Sequence, residues 1–193
     1  MPAMNRSIAA ALLLASVAGL GLAQPAAAAL RQGQRAPALH TQGALAGGTF
    51  TFDLQDALRR GPVVLYFFPR AFTQGCTLEA NAFAEAMGDF RAAGAQVVGL
   101  SADNIDTLRR FSTEECRDAF PVAVASPAAI RAFDVVFRGP GQGNAQPNAQ
   151  DVMSDRTSYV IAQDGRVVMV HSDLDWRQHV ARTLAAVRAL EGG

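Results

Sequence analysis

The stretch Val63-Val-Leu-Tyr-Phe-Phe-Pro69-Arg-Ala-Phe-Thr73-Gln-Gly-Cys76 decides the fold prediction, because two different apolar patterns meet in it. Its first six residues are an unbroken run of β-branched, aliphatic and aromatic side chains, which predicts a buried strand. Beyond Cys76, apolar residues recur at helical spacing and predict a helix that begins near the cysteine. They are Leu78, Ala82, Phe83, Ala86 and Phe90. The sequence therefore places a thiol where a strand gives way to a helix.

This position predicts a reactive sulfur at Cys76. The first turn of a helix presents free backbone N–H groups and the positive end of the helix dipole, and both favour a thiolate. Ionisation alone accelerates attack by no more than about thirtyfold, since roughly 3% of an ordinary cysteine is already thiolate at neutral pH. Fast attack on a peroxide also needs donors that stabilise the leaving oxygen. Thr73, three residues earlier, the loop N–H groups and an arginine are the candidates, and Pro69 fixes the chain direction where the strand ends.

The same residues resemble the peroxiredoxin signature P-x-x-x-T-x-x-C. The longer pattern P-R-A-x-T-x-G-C-T is most similar to the bacterioferritin-comigratory (Bcp) or peroxiredoxin Q group. The resemblance extends from about Gly33 to the last helix, and Asp155-Arg156-Thr-Ser-Tyr-Val-Ile161 is similar to the segment that carries the family's active-site arginine. It implies a thiol-dependent peroxidase that reduces hydrogen peroxide and organic hydroperoxides through a cysteine sulfenic acid.

The resemblance also implies a role for each matching residue. Cys76 would be the peroxidatic cysteine, and Thr73 would hydrogen-bond its thiolate and the substrate. Arg156 would favour the thiolate and polarise the peroxide. Glu79 would orient that arginine, and Pro69 would shield the pocket.

Two positions depart from the group's pattern. Gln74 stands where a proline commonly precedes the Gly-Cys pair. Asn81 stands where many peroxiredoxin Q proteins carry a second cysteine, five residues after the first. That route to a disulfide is therefore absent.

Cys116, the only other cysteine, lies 40 positions after Cys76 and near the end of a predicted helix from about Asn104 to Arg117, with Asp103 as N-cap. Some peroxiredoxin Q relatives place a resolving cysteine on this helix, so the resemblance implies that Cys116 attacks the sulfenic acid to form an intramolecular disulfide. The two Cα atoms must come within roughly 7 Å, so part of one helix would unwind. An inert buried thiol, with an external thiol completing the cycle, and a permanent disulfide are the alternatives.

The order of elements predicts an α/β, thioredoxin-like fold with a central mixed sheet flanked by helices. Strand, helix, strand, helix over 63–117 imply parallel central strands. Strands 157–162 and 166–171 flank a Gln-Asp-Gly turn and predict an antiparallel hairpin. A closing helix is predicted over about 175–190.

Residues 1–29 predict a signal peptide, with cleavage after Ala23 or within Ala26–Ala29, and 30–193 form the peroxiredoxin domain. Arg6 precedes an apolar run from Ile8 to Leu22, followed by small residues. The run is short for a membrane span, and an uncleaved anchor is the rival interpretation. The mature protein is therefore expected in a bacterial periplasm or outside the cell, without stable membrane association.

Composition limits the function further. The 193 residues, 50% of them hydrophobic, allow one domain with a good core. The 17 basic and 17 acidic residues balance, which gives no electrostatic case for nucleic acid. The three histidines have no metal-ligand spacing, so no metal site is expected. The cysteine-dependent peroxidase that the resemblance implies needs no haem or flavin either. The expected partners are a peroxide and a thiol reductant, either a thioredoxin-like protein or a small thiol, and the expected state is a monomer or weak dimer.

Two other functions compete with the peroxidase. A periplasmic thiol–disulfide oxidoreductase would use C-x-x-C, and Glu79 occupies the third position after Cys76. A non-catalytic redox sensor or binding module would oxidise Cys76 without sustained turnover.

Overall fold

The structure, a computed structural model, describes residues 30–138 and 152–192. The predicted signal peptide lies outside these ranges. Seven strands form one mixed sheet in the order β2-β1-β5-β4-β3-β6-β7. The strands are β1 His40–Leu45, β2 Gly48–Asp53, β3 Val63–Phe67, β4 Gln96–Ser101, β5 Val122–Val124, β6 Thr157–Ile161 and β7 Val167–Ser172.

Strand β3 lies at the centre of the sheet, and all five of its residues are buried. It pairs in parallel with β4 and antiparallel with β6, and β6 continues into an antiparallel pair with β7. A strand covered on both faces needs apolar residues at every position, which explains its unbroken apolar run.

Within the described ranges, five helices cover the two faces of the sheet. Their bounds are α1 Leu54–Leu58, α2 Gln74–Ala92, α3 Ile105–Glu114, α4 Pro127–Ala132 and α5 His179–Glu191. Side chains of α1 and α4 belong to one hydrophobic cluster, and side chains of α2, α3 and α5 belong to the other. The second cluster also contains Cys76 and Cys116, so both thiols lie on the same face of the sheet.

The predicted boundaries of two helices were wrong. Helix α3 is capped by Asn104, which accepts a hydrogen bond from the Thr107 N–H, and not by Asp103. It ends at Glu114, because the chain turns through two left-handed residues at Arg117 (φ 52°) and Asp118 (φ 55°).

The closing helix also starts later than predicted. A 3₁₀ turn over Trp176–Gln178 precedes α5, which begins at His179.

None of the described helices combines the length and apolar character that a membrane crossing requires. In the same ranges, no three His, Cys, Asp or Glu side chains are grouped so that they could hold a metal ion.

Candidate active site

Cys76 is the third residue of α2 and points into the protein, where only 1% of its surface is exposed. Thr73 precedes the helix as N-cap residue, and its carbonyl accepts the first helical hydrogen bond from the Thr77 N–H at 2.9 Å. The predicted junction between strand and helix is therefore present. The sulfur lies in the first turn, where backbone N–H groups lack helical partners.

The loop between β3 and α2 is held in place by Asp103, two residues after the end of β4. The Asp103 carboxylate accepts hydrogen bonds from the Ala71 N–H at 2.7 Å and from the Ser101 hydroxyl at 2.6 Å. The next residue, Phe72, adopts a left-handed backbone (φ 63°), which is costly for a side chain of this size. Its ring packs edge-on against Phe111 of α3 at a centroid distance of 5.3 Å, which offsets part of that cost.

Arg156 immediately precedes β6 and is directed at the sulfur. Its Nη2 donates to Cys76 Sγ at 3.6 Å, and its Nε donates to the Leu174 carbonyl at 2.9 Å. Its Nη1 forms a buried ion pair with Glu79, one helical turn after the cysteine. Only 5% of Arg156 is exposed. Two partners besides the thiol, Glu79 and the Leu174 carbonyl, therefore fix the rigid guanidinium fork against the sulfur.

Two acidic groups face this one guanidinium. Burial raises the pKa of Glu79 to about 8, against the opposing effect of Arg156. Burial lowers the pKa of Arg156, but the charges of Glu79 and Cys76 outweigh it and raise that pKa, so the guanidinium stays protonated.

Residues 32–170 match the AhpC/TSA family. The chain belongs to that family. The peroxiredoxin Bcp of Xanthomonas campestris is 31% identical over 151 residues, which are 72% of this chain and 91% of that protein. Peroxiredoxin Bcp of Escherichia coli is 28% identical over 117 residues, which are 61% of this chain and 72% of that protein.

Two solved structures agree with this assignment. The peroxidoxin BcpB of Mycobacterium tuberculosis has a TM-score of 0.69 and 29% identity, covering 83% of this chain and 98% of its own. A Xanthomonas campestris peroxiredoxin Q has a TM-score of 0.65 and 28% identity, covering 77% and 89%. The predicted thioredoxin-like fold and the likeness to the Bcp and peroxiredoxin Q group are confirmed. The protein is a thiol-dependent peroxidase of the peroxiredoxin type.

Thr73 and Pro69 are the two remaining predicted site residues of this peroxiredoxin, and both lie on the loop that leads to Cys76. In the described ranges the exposed Thr73 hydroxyl donates to the Arg70 carbonyl at 2.9 Å and not to Cys76. A threonine hydroxyl is readily satisfied by a nearby backbone carbonyl, and the role of Thr73 at the sulfur and the substrate stays a prediction. Pro69 lies half-buried two residues beyond the end of β3.

Cys116 is fully buried and lies two residues beyond the end of α3. Both cysteines are free thiols in this structure. Burial raises the pKa of Cys116 well above its ordinary value. The folded pocket therefore keeps Cys116 protonated and unreactive.

Two further residues of this peroxiredoxin escaped the sequence analysis. Tyr66 of β3 lies beside Cys116, and its fully buried hydroxyl also faces the charges of Glu79 and Cys76. Gly99 makes room for that ring, because a Cβ there would come within 2.8 Å of the Tyr66 hydroxyl. The Tyr66 hydroxyl has no hydrogen-bond partner among the described residues, and the apolar run gives no sign that a buried hydroxyl lies beside the cysteines. Asp103 is the second of these residues. Its position before α3 predicts a helix cap, but its carboxylate anchors the active-site loop instead.

Proposed function

We propose that Cys76 is the peroxidatic cysteine of this enzyme. Its thiolate attacks one oxygen of hydrogen peroxide or an organic hydroperoxide, the O–O bond breaks, and Cys76 becomes a sulfenic acid. The other oxygen leaves as hydroxide or alkoxide and takes up a proton, giving water or an alcohol. The observation that carries this proposal is the 3.6 Å contact between Arg156 Nη2 and Cys76 Sγ in the first turn of α2.

In this proposal Arg156 favours the thiolate and stabilises the charge that develops on the leaving oxygen. Glu79 and the Leu174 carbonyl hold the guanidinium in place for both tasks. Because Cys76 is only 1% exposed, a peroxide reaches it after a small displacement of a neighbouring side chain or loop. Thr73 then rotates from the Arg70 carbonyl toward the substrate, and Pro69 shields the pocket from water.

We further propose that Cys116 resolves the sulfenic acid. Its thiolate attacks the Cys76 sulfur, a disulfide forms, and the hydroxyl leaves as water after protonation. Both thiols belong to one hydrophobic cluster, and Cys116 lies outside regular helix in a turn with left-handed Arg117 and Asp118. Such a turn opens at lower cost than a helix, which supports release of Cys116 from its pocket.

The remaining parts of the proposal concern partners and location. A thioredoxin-like protein or a small thiol reduces the disulfide, and the enzyme acts as a monomer or weak dimer. Residues 1–29 direct export to the periplasm or the medium, which rests on the sequence alone. Sequencing the N-terminus of the protein from a periplasmic fraction tests export, and a start between residues 24 and 30 is expected. A start at Met1 in the cytoplasmic fraction contradicts it.

Peroxide consumption by single-cysteine variants tests the proposed chemistry. Cys76→Ser is expected to abolish turnover, and retention of turnover contradicts the mechanism. Intact mass after one equivalent of peroxide then separates the two routes of resolution. A loss of two hydrogens supports the disulfide between Cys76 and Cys116, whereas a stable gain of one oxygen shows that an external thiol completes the cycle.

A further inference from the structure

His179, the first residue of α5, is fully buried. Its Nε2 is 2.9 Å from the Asp173 carbonyl oxygen, and its Nδ1 is 2.8 Å from the Ser158 hydroxyl. A carbonyl can only accept, so Nε2 carries the hydrogen and Nδ1 accepts from Ser158. Burial lowers the pKa of His179 to about 4, so this neutral tautomer persists at physiological pH.

The segment that His179 holds is the one that positions Arg156. The Asp173 N–H donates to the Arg156 carbonyl at 3.1 Å, and the Leu174 carbonyl accepts from Arg156 Nε at 2.9 Å. Between these two bonds, the Asp173 carbonyl accepts from His179. Asp173 and Leu174 are themselves exposed, and 57% of Leu174 is accessible. The buried imidazole is therefore an anchor for an otherwise exposed segment.

His179 also faces the second partner of Arg156. One carboxylate oxygen of Glu79 pairs with Arg156, while the other, Oε1, is buried and has no hydrogen-bond partner among the described residues. This oxygen lies 3.7 Å from His179 Nδ1. A buried polar atom without a partner is rare, so its nearness to the imidazole calls for an explanation.

We propose that His179 is a positioning residue of the peroxidase, which keeps Arg156 against Cys76 by anchoring the Asp173–Leu174 segment and by limiting where Glu79 can lie. The proposal rests on the proposed role of Cys76. Around the imidazole, Glu79 faces it from α2, Ser158 from β6, and His171 from β7 at a ring-centroid distance of 4.5 Å. Arg156, immediately before β6, and Asp173, in the loop after β7, also face it. His179 stays neutral between about pH 6 and pH 8, so its hydrogen bond to the Asp173 carbonyl is unchanged over that range, whereas Glu79, with a pKa of about 8, changes charge near its upper end.

The test uses the full-length protein with Cys116→Ser, so that Cys76 is its only thiol. His179→Ala is expected to slow both alkylation of Cys76 by iodoacetamide and its reaction with hydrogen peroxide by about tenfold. His179→Gln restores most of the rate, because its Nε2–H group can still donate to the Asp173 carbonyl. Thr183→Ala is the matched control: Thr183 is buried in the same helix and, among the described residues, its hydroxyl bonds only the carbonyls of His179 and Val180. It should reduce stability and leave both rates unchanged.

A double-mutant cycle decides whether His179 acts through Arg156. In an Arg156→Ala background, His179→Ala should slow alkylation by less than about twofold. A tenfold loss that persists without Arg156, or a folded His179→Ala protein with wild-type rates, overturns the proposal. Should His179→Ala fail to fold, Ser158→Ala enters the same cycle, with an expected loss of about threefold that disappears without Arg156.

The two readouts separate this inference from the proposed function. Alkylation reports the state of the Cys76 sulfur whether or not the protein reduces peroxide. If the double-mutant cycle measured by alkylation gives the expected rates but Cys76 does not react with peroxide, His179 is a positioning residue and Cys76 is not the peroxidatic cysteine.

Discussion

Arg156 and Cys76 are 80 positions apart in the chain, yet Nη2 of one lies 3.6 Å from Sγ of the other. The contact forms because β6 pairs with β3, which brings the start of β6 beside the loop that leads into α2. The pairing of β3 with β6 in the sheet therefore brings the arginine and the thiol together. Glu79 and Leu174 then leave the guanidinium little freedom to move away.

Removal of Arg156 should damage both catalysis and stability. Arg156→Ala is expected to lower the second-order rate with hydrogen peroxide by about a hundredfold, the usual effect of losing one donor to a developing charge. It should also lower the free energy of unfolding by about 3 kcal/mol, because Glu79 is left buried without its partner. Stopped-flow kinetics and urea unfolding measure the two effects. Arg177→Ala, which removes an exposed arginine paired with Asp175, is the control and should change neither.

Gly75→Ala should separate stability from activity. A Cβ at Gly75 would lie 3.1 Å from Arg156 Nη2, so the guanidinium must shift by a few tenths of an ångström. Small misplacements of catalytic groups are costly, and a loss of about threefold in peroxidase rate is expected. The melting temperature should stay constant or rise, because alanine favours helix over glycine.

Gly88→Ala is the matched control for this substitution. Gly88 lies in the same helix and is exposed, and a Cβ at this position would have no other group within 4 Å. It should stabilise the protein by up to about 1 kcal/mol without changing the rate. An unchanged rate for Gly75→Ala would show that Arg156 is not held as tightly as its contacts imply.

The turn that carries Cys116 is fastened to α2 by Asn81. The Asn81 amide N–H donates to Glu115 at 3.3 Å, and its carbonyl oxygen accepts from Arg117, which also pairs with Glu85 at 3.4 Å. Exposed contacts of this kind together contribute about 1 kcal/mol, so Asn81→Ala should raise the opening of the turn about fivefold.

Alkylation of Cys116 in a Cys76→Ser protein measures this opening. The rate should rise with Asn81→Ala and with Arg117→Ala. Arg188→Ala, which breaks an exposed ion pair between α5 and Asp89 of α2 far from the turn in sequence, should leave it unchanged. If Cys116 is alkylated at the same rate in the Cys76→Ser parent and in its three variants, Asn81 does not hold the turn closed.

Acid should destabilise the protein through His179. The pKa of His179 is lowered by burial from 6.5 to about 4, so the unfolded chain binds a proton over that range and the folded chain does not. Stability therefore falls as the pH drops from 6.5 to 4, by about 3 kcal/mol for this group. The difference in unfolding free energy between wild type and His179→Gln isolates the effect, because the glutamine does not titrate. A difference that is constant from pH 7 to pH 4 would mean that His179 is not kept neutral by the fold.

Local patterns were sufficient for the fold and for the position of the thiol. The apolar run of β3 and the helical spacing after Cys76 are properties of adjacent residues, and the structure has both elements where they were predicted. The end of α3 was missed because arginine is a good helix former and a single aspartate only weakly favours left-handed backbone, so the two left-handed residues at Arg117 and Asp118 are not evident from residue type.

The parts of the site that depend on distant residues could not be predicted. His179 reaches the site through Asp173 and Glu79, and Asp103 anchors Ala71 across 32 positions. Contacts of this sort occur at no characteristic separation along the chain, because the order of the strands in the sheet decides which side chains meet. For Thr73 the position was predicted correctly, but its hydroxyl donates to the backbone carbonyl of Arg70.

Trapping of the oxidised thiol tests the central claim most directly. The Cys116→Ser protein is treated with one equivalent of hydrogen peroxide in the presence of dimedone, which labels sulfenic acids, and the labelled peptide is located by mass spectrometry. The expected result is close to one label per chain, on Cys76, with formation slowed about a hundredfold by Arg156→Ala. Consumption of peroxide without a label on Cys76 would contradict the peroxidatic role of this cysteine.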